Sequence, residues 1–233
     1  MPVTIFIGKK NKVANWKFDD VSSETMLINK IELNTIPLSK ISNIMRGLEF
    51  GRDKLNDNGQ IPFITGSNIQ KYCIKKIAYI DENTLNEFQK EKRFFDDKRI
   101  LIRETGSAIT ALYIDKLLYS NRSLFSILIS DTRFNAKFIL GCLNSSVLQF
   151  YYSTKFKADS ELFPKIRIIQ VKELPIPVAD NILQKTIIDI VDKILAEKSN
   201  NPNSETLFLE KQIDNLVYKL YKLTEEEIKI IEG

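Results

Sequence analysis

Residues 96–129 read DDKRILIRETGSAITALYIDKLLYSNRSLFSILI. Three short runs stand out in them: 99–103, 108–114 and 125–129. Each is dense in Ile, Leu and Ala, and Gly, Asn, Asp and Lys clusters separate them. Apolar runs of four to eight residues between turn residues predict strands. Upstream, residues 61–65 and 74–80 add two more runs of the same kind. One helical candidate, residues 81–92, interrupts the series, with Asp81 or Asn83 as its cap.

Downstream the period changes. Phe138, Ile139, Cys142, Leu143, Val147, Leu148, Phe150 and Tyr151 give residues 135–152 the broad apolar face of a helix. Gly141 and the Asn144-Ser145-Ser146 step are expected to bend it. Residues 163–178 carry Pro164, Pro175 and Pro177 and are expected to be extended. Two helices then follow. Leu183, Ile187, Ile190, Val191, Ile194 and Leu195 fall at helical spacing, and so do Leu209, Ile213, Leu216, Val217, Leu220 and Tyr221. The polar SNNPNSE segment joins them into a helical hairpin. Thr224 with Glu227 forms a capping box that opens a last short helix.

The expected class is therefore α+β: an irregular twisted sheet or partial β-barrel with helical insertions, followed by a C-terminal helical hairpin. VTIFI at residues 3–7 reads as one strand with nothing of its own to pair with, and is expected to be the last strand of a preceding domain. The organisation expected is a stub and linker over 1–32, a central domain over 33–180, and the hairpin with its capping helix over 181–233.

Composition narrows the chemistry. Hydrophobic residues make up 43% of the 233, enough for a packed core rather than disorder. There is no histidine, which removes Ser-His-Asp and Cys-His nucleophiles and histidine-ligated metals. Cys73 and Cys142 are far apart and form no CxxC pair. Two buried thiols are expected, and no metal site. No apolar run approaches the ~20 residues that cross a bilayer. The N-terminal charges follow the apolar stretch instead of preceding it. A cytoplasmic protein without a membrane partner is expected. The net charge of +4 is unevenly spread: residues 199–233 hold four Lys against seven Asp or Glu, so they carry −3 and the rest +7. A basic body suits a polyanion, and the acidic tail suits a different partner.

Four loops carry groups suited to DNA. Residues 46–54 bring Arg46, Arg52 and Lys54 around two glycines; such loops let backbone and guanidinium approach phosphates or guanine edges. Residues 65–71 bring Ser67, Asn68 and Lys71, and residues 103–107 bring Arg103, Thr105 and Ser107. Arg122 lies in the fourth, Asn121-Arg122-Ser123. Plain β-turns favour many of the same residues, so each loop alone is weak evidence. Asp96 and Asp97 before Lys98 are the nearest thing to a metal-dependent nuclease site. A further alternative is a scaffold that docks on another protein through residues 182–222. The polar-Pro-Pro-aromatic loop of adenine methylation and the GxGxxG cofactor turn are both missing from the sequence.

In order along the chain, ISNIMRGLEFGRDKL, IPFITGSNIQKYCIKKIAYI, DDKRILIRETGSAITALYIDKLLYSNRSLFSI, FILGCLNSSVLQFYYS with FPKIRIIQVKELPIP, and IDNLVYKLYKLTEEEIKIIE resemble the TaqI-like C-terminal specificity domain of adenine-specific DNA methyltransferases and fused restriction–modification enzymes. More distantly, they resemble the target-recognition units of Type I specificity subunits. The match covers about residues 33–232. The resemblance implies a module of phage defence that binds double-stranded DNA and reads its sequence. A separate methyltransferase domain or subunit, carrying S-adenosylmethionine, performs the chemistry. No cofactor and no catalytic residue are implied in this chain. The loops implied to enter a groove are those around 46–54, 65–71, 103–107 and 155–157. The family's catalytic domain normally precedes this one. Here residues 3–11 stand in its place, as expected of a fragment, a truncated product or a stand-alone specificity subunit.

Overall fold

The computed structural model describes residues 22–49, 54–86, 92–156 and 164–233, with the backbone of 8–9 and 17–18. The reading of 3–7 as a strand, and the candidates Arg52 and Lys157, lie outside the described residues.

The central element is a four-stranded sheet in the order Ala111–Ile114, Arg99–Arg103, Leu124–Ile129, Ser42–Arg46, antiparallel throughout. Its middle strands are apolar at nearly every position because both of their faces are covered. Ile100, Ile102, Phe125 and Ile127 pack into the large core beneath the helices. Leu101, Leu112 and Leu124 point the other way, into a smaller core with Ile64 and Ile69. That second face is closed by a three-stranded sheet, Tyr119–Ser120, Ile61–Ile64, Ala78–Ile80, whose first pair is parallel. The mixed α/β class is realised as open sheets, not a closed barrel.

On the other side lie the helices. The broad apolar segment forms two, Ala136–Asn144 and Ser146–Lys155. The break at Ser145 falls where the sequence placed it, and Asp214 holds it: its carboxylate accepts from the Ser146 N–H (2.7 Å) and hydroxyl (2.8 Å). Burial lifts the Asp214 carboxyl above its ordinary range, against the pull of those hydrogen bonds. The helix Ala136–Asn144 runs unbroken through Gly141. A methyl group there would stand 2.8 Å from Ile187 Cγ2, so glycine lets Ala136–Asn144 lie close against helix Asn181–Asn200. That helix and Leu207–Leu220 form the expected hairpin, and Glu225–Glu232 starts with the expected Thr224–Glu227 box.

Two readings need correction, and a third is described only in part. Within the stretch read as extended, Ile168–Lys172 is a short helix. Pro164 and Pro175 restrict only themselves and the residue before them, so one turn fits between. Of the helix expected over 81–92, the described residues hold Glu82–Asn86, its Thr84 N–H capped by Asp81 (2.7 Å), and residues 87–91 lie outside the described residues. Ser23–Glu32 is a capped helix the apolar pattern did not flag. It sinks Leu27, Ile28 and Ile31 into the same core as Val217 and Tyr221, and Lys30 pairs with Glu227 at 2.5 Å.

The free edge of the central sheet is closed by side-chain amides. Asn144 accepts from the Ala111 N–H (3.1 Å) and donates to its carbonyl (3.0 Å). Gln149 does the same at Ile109, at 2.9 and 3.0 Å. Such a cover satisfies backbone groups that would otherwise pair with a foreign strand. Both cysteines are buried and free. Among the described residues no helix is long and apolar enough to cross a membrane.

Candidate nucleic-acid interface

The strand register brings three strand ends to one rim. Arg46 lies opposite Phe125, and Phe125 opposite Ile102, so residues 46–49, 121–124 and 103–107 emerge side by side. The second sheet adds the fourth loop, because residues 65–68 directly follow Ile61–Ile64. The four loops separated by up to 77 positions in sequence thus form one continuous surface.

Backbone and hydroxyl bonds weld the loops together. The Gly66 N–H donates to Ser123 Oγ (2.7 Å), whose own proton goes to Asn121 Oδ1 (2.5 Å). The Glu104 N–H donates to the Ser123 carbonyl (2.8 Å), and the Arg122 N–H to that of Leu48 (2.7 Å). Gly47 approaches the Asn121 carbonyl so closely that a methyl group would stand 2.3 Å from it. Its close approach is therefore to its own chain, not to a ligand. Thr65 and Asn68 brace a tight turn, with the Thr65 N–H on Asn68 Oδ1 (2.8 Å). The carbonyl of Asn68 is thereby used by the fold. Ser67 and Asn68 still line a cleft of about 230 Å³ with Asn56, Asp57 and Lys76.

The arginines of the rim are in different states. Arg46 pairs with Glu104 at 2.5 Å and sits over the Phe125 ring. Arg122 pairs with Glu49 at 2.5 Å, both exposed. An exposed pair of this kind contributes about 0–1 kcal/mol, so a phosphate or base can displace it cheaply, whereas the Glu104 side chain of the other pair is largely covered. The sequence reading missed both carboxylates, although each lies within three residues of an arginine it named. Arg103 has neither ion pair nor hydrogen bond on its side chain among the described residues. Thr105 is exposed beside it, its backbone bridged to Lys165.

Other candidates lie elsewhere. Lys71 donates to the Asn144 carbonyl (2.9 Å), tying its loop to the helices. Lys155 bonds Glu32 (2.5 Å) and Tyr151 (2.8 Å) and fastens helix Ser146–Lys155 to Ser23–Glu32. Lys54 sits near Asp81. Ser107 faces a small cleft with Tyr152 and Phe156. For the nuclease alternative, Asp96 ends a one-turn helix 3.7 Å from Lys92, and the Asp97 carbonyl accepts from Arg99. Among the described residues no three carboxylates or thiols gather as a metal site, and nothing supports that alternative.

Arg99, at the far end of the strand that ends in Arg103, is a residue whose role the sequence did not reveal. It is fully buried, and its guanidinium donates to the carbonyls of Asp97 (2.8 Å), Lys116 (3.2 Å) and Leu118 (2.7 Å). Burial lowers its pKa to about 10, which leaves it charged at neutral pH.

Comparison with known proteins agrees with this architecture. A protein of Methanocaldococcus jannaschii, named as a type II restriction enzyme and methyltransferase, is 28% identical over 185 residues. These are 72% of this chain and 15% of that protein, so the chain corresponds to a small part of the relative's length. Among solved structures, the type IIL restriction–modification enzyme MmeI, in complex with DNA, superposes with a TM-score of 0.58 at 15% identity, over 83% of this chain and 34% of that one. The type IIG restriction endonuclease BpuSI gives 0.51 at 13% identity, over 87% and 34%. At such identities the two structures bear on the fold alone. A family model for the TaqI-like C-terminal specificity domain matches residues 61–176, which contain three of the four rim loops and both middle strands of the central sheet. Residues 61–176 thus match the TaqI-like C-terminal specificity domain.

Proposed function

We propose that this chain binds double-stranded DNA through the rim of residues 46–49, 65–68, 103–107 and 121–123 and reads its sequence there. It presents the site to a methyltransferase domain or subunit that carries S-adenosylmethionine, and takes no catalytic step itself. The observation that carries the reading is the convergence of four loops, distant in sequence, on one rim where arginines, hydroxyls and amides are held by a rigid sheet. Recognition sites built on rigid elements keep their geometry better than sites on free loops.

The mechanism has two parts. Arginine and lysine contacts to phosphates supply affinity that falls steeply with salt. Side chains on base edges supply ~1–3 kcal/mol of discrimination for each good bidentate contact. Arg46 and Arg122 exchange Glu104 and Glu49 for the nucleic acid on binding. Arg52 belongs to the same loop as Arg46 and is a further candidate for a phosphate contact. Lys71 and Lys155, committed to the helical side, are structural.

The test is fluorescence anisotropy of a labelled duplex over a series of salt concentrations. Replacing Arg46, Arg103 and Arg122 together by Ala is expected to weaken binding by at least ~100-fold and to flatten the salt dependence. Replacing Lys71 is expected to leave binding nearly unchanged. Equal low-salt binding by the triple variant and the wild type would remove the rim from the interface.

A further inference from the structure

Arg103 is half-buried and stands in a slot between two glycines from different loops. A methyl group at Gly66 would lie 3.1 Å from Arg103 Cγ, and one at Gly106 would lie 3.3 Å from Arg103 Nη2. Gly106 has a φ of +126°, which side-chain-bearing residues rarely adopt. On the Gly66 side the wall is stiff: the same methyl would meet the Ser123 carbonyl at 3.1 Å. The stem of Arg103 is therefore confined at its middle and at its tip.

The fork itself is unused. Nε is sealed from solvent and has no hydrogen-bond partner. A buried polar group left in this state costs about 1–3 kcal/mol and calls for an explanation. The terminal nitrogens are not sealed in this way and have no protein acceptor among the described residues. The other two rim arginines are paired with Glu104 and Glu49. Those carboxylates oppose a phosphate nearby but do not oppose a neutral base edge.

We infer that Arg103 is the specificity-determining residue of this rim and that it reads a guanine, donating from its two terminal nitrogens to O6 and N7. The inference rests on the DNA-reading role proposed above. A phosphate accepts from many directions and needs no confined donor. A guanine edge requires a fork in its own plane, and a slot that fixes the plane in advance removes the cost of ordering the side chain on binding. The slot also explains why two loops place glycine at this point.

Lysine separates the two readings, because it can replace a charge on a phosphate but not a planar fork. The experiment selects bound duplexes from a randomised library and sequences them, for the wild type, Arg103→Lys and Arg103→Ala. Salt dependence and melting temperature are measured in parallel. The wild type is expected to enrich a site with one fixed G·C pair. Both variants are expected to lose the preference at that pair by about tenfold or more and to keep it elsewhere. Arg103→Lys should also keep the wild-type salt slope. An unchanged preference in both variants overturns the assignment and leaves DNA reading standing. So does an Arg103→Lys protein with wild-type preference beside an Arg103→Ala protein that is uniformly weaker; that result assigns the residue to a phosphate. A wild-type chain that enriches no sequence overturns the reading role and this inference together.

Discussion

The strand Arg99–Arg103 begins and ends with the same residue type, and the two ends have opposite fates. At one end Arg99 is fully buried and its fork is spent on three carbonyls of its own chain. At the other, Arg103 is held by packing against glycine backbone, and its fork bonds nothing among the described residues. A buried guanidinium is tolerated only when its donors are satisfied. Arg99 meets that condition at its terminal nitrogens by closing the turn between two strands, while its Nε, like that of Arg103, has no partner. Arg103 differs at its terminal nitrogens, which have no protein acceptor among the described residues and sit on the rim where the candidate loops meet. One end of the strand serves stability, and the other is free to serve a partner.

The largest effect should come from emptying the structural end. Arg99→Ala leaves three carbonyls without their donor and a cavity where a large side chain stood. A loss of about 3–5 kcal/mol in urea unfolding is expected. Arg103→Ala should leave the unfolding free energy in urea within about 0.5 kcal/mol of wild type while weakening DNA binding tenfold or more. If Arg103→Ala unfolds as readily as Arg99→Ala, the contrast between the two ends is broken.

Gly66→Ala sharpens the contrast from the side of the slot. The added methyl meets a carbonyl that cannot retreat, so the chain is expected to lose about 1–3 kcal/mol. Discrimination at the G·C pair should weaken even though no DNA-contacting group has changed. A Gly66→Ala protein that is destabilised but keeps full discrimination would show that the slot does not set the plane of Arg103.

The smallest effect lies far from both ends and tests whether ordinary ion pairs matter to stability. Burial works against the charge of Glu227, but hydrogen bonds from Lys30 and Thr224 outweigh it and hold its carboxyl below the usual value. A carboxyl lowered on folding adds stability that is present above its unfolded pKa and lost as pH falls through its folded one. The small stability gap between wild type and Glu227→Gln should therefore shrink through that acidic window. A gap that is constant with pH would assign the effect to packing.

Much of this was legible in the chain. Apolar runs of the right length located the strands, and helical spacing located the hairpin. The break at Asn144-Ser145-Ser146 and the capping box at Thr224 were local signals and were read locally. The helix Ser23–Glu32 was missed because its buried residues are few, and its stability comes from the core it joins. Four separate loops were each visible as candidates, but a turn and a binding loop use the same residues. Lys71 and Lys155 looked as suitable as Arg46, and only their partners, the Asn144 carbonyl and Glu32, distinguish them.

The sequence by itself determined the class, the order of elements and the set of polar loops, because these follow from the spacing of apolar residues and from turn chemistry. Nothing in RILIR distinguishes its two arginines. The tertiary structure decided that one is sealed under the turn and the other stands between two glycines brought from loops 40 positions apart in the chain. Burial and hydrogen-bond partners are properties of the packed fold, and the same side chain becomes a structural clamp or a reading head according to which neighbours the fold supplies.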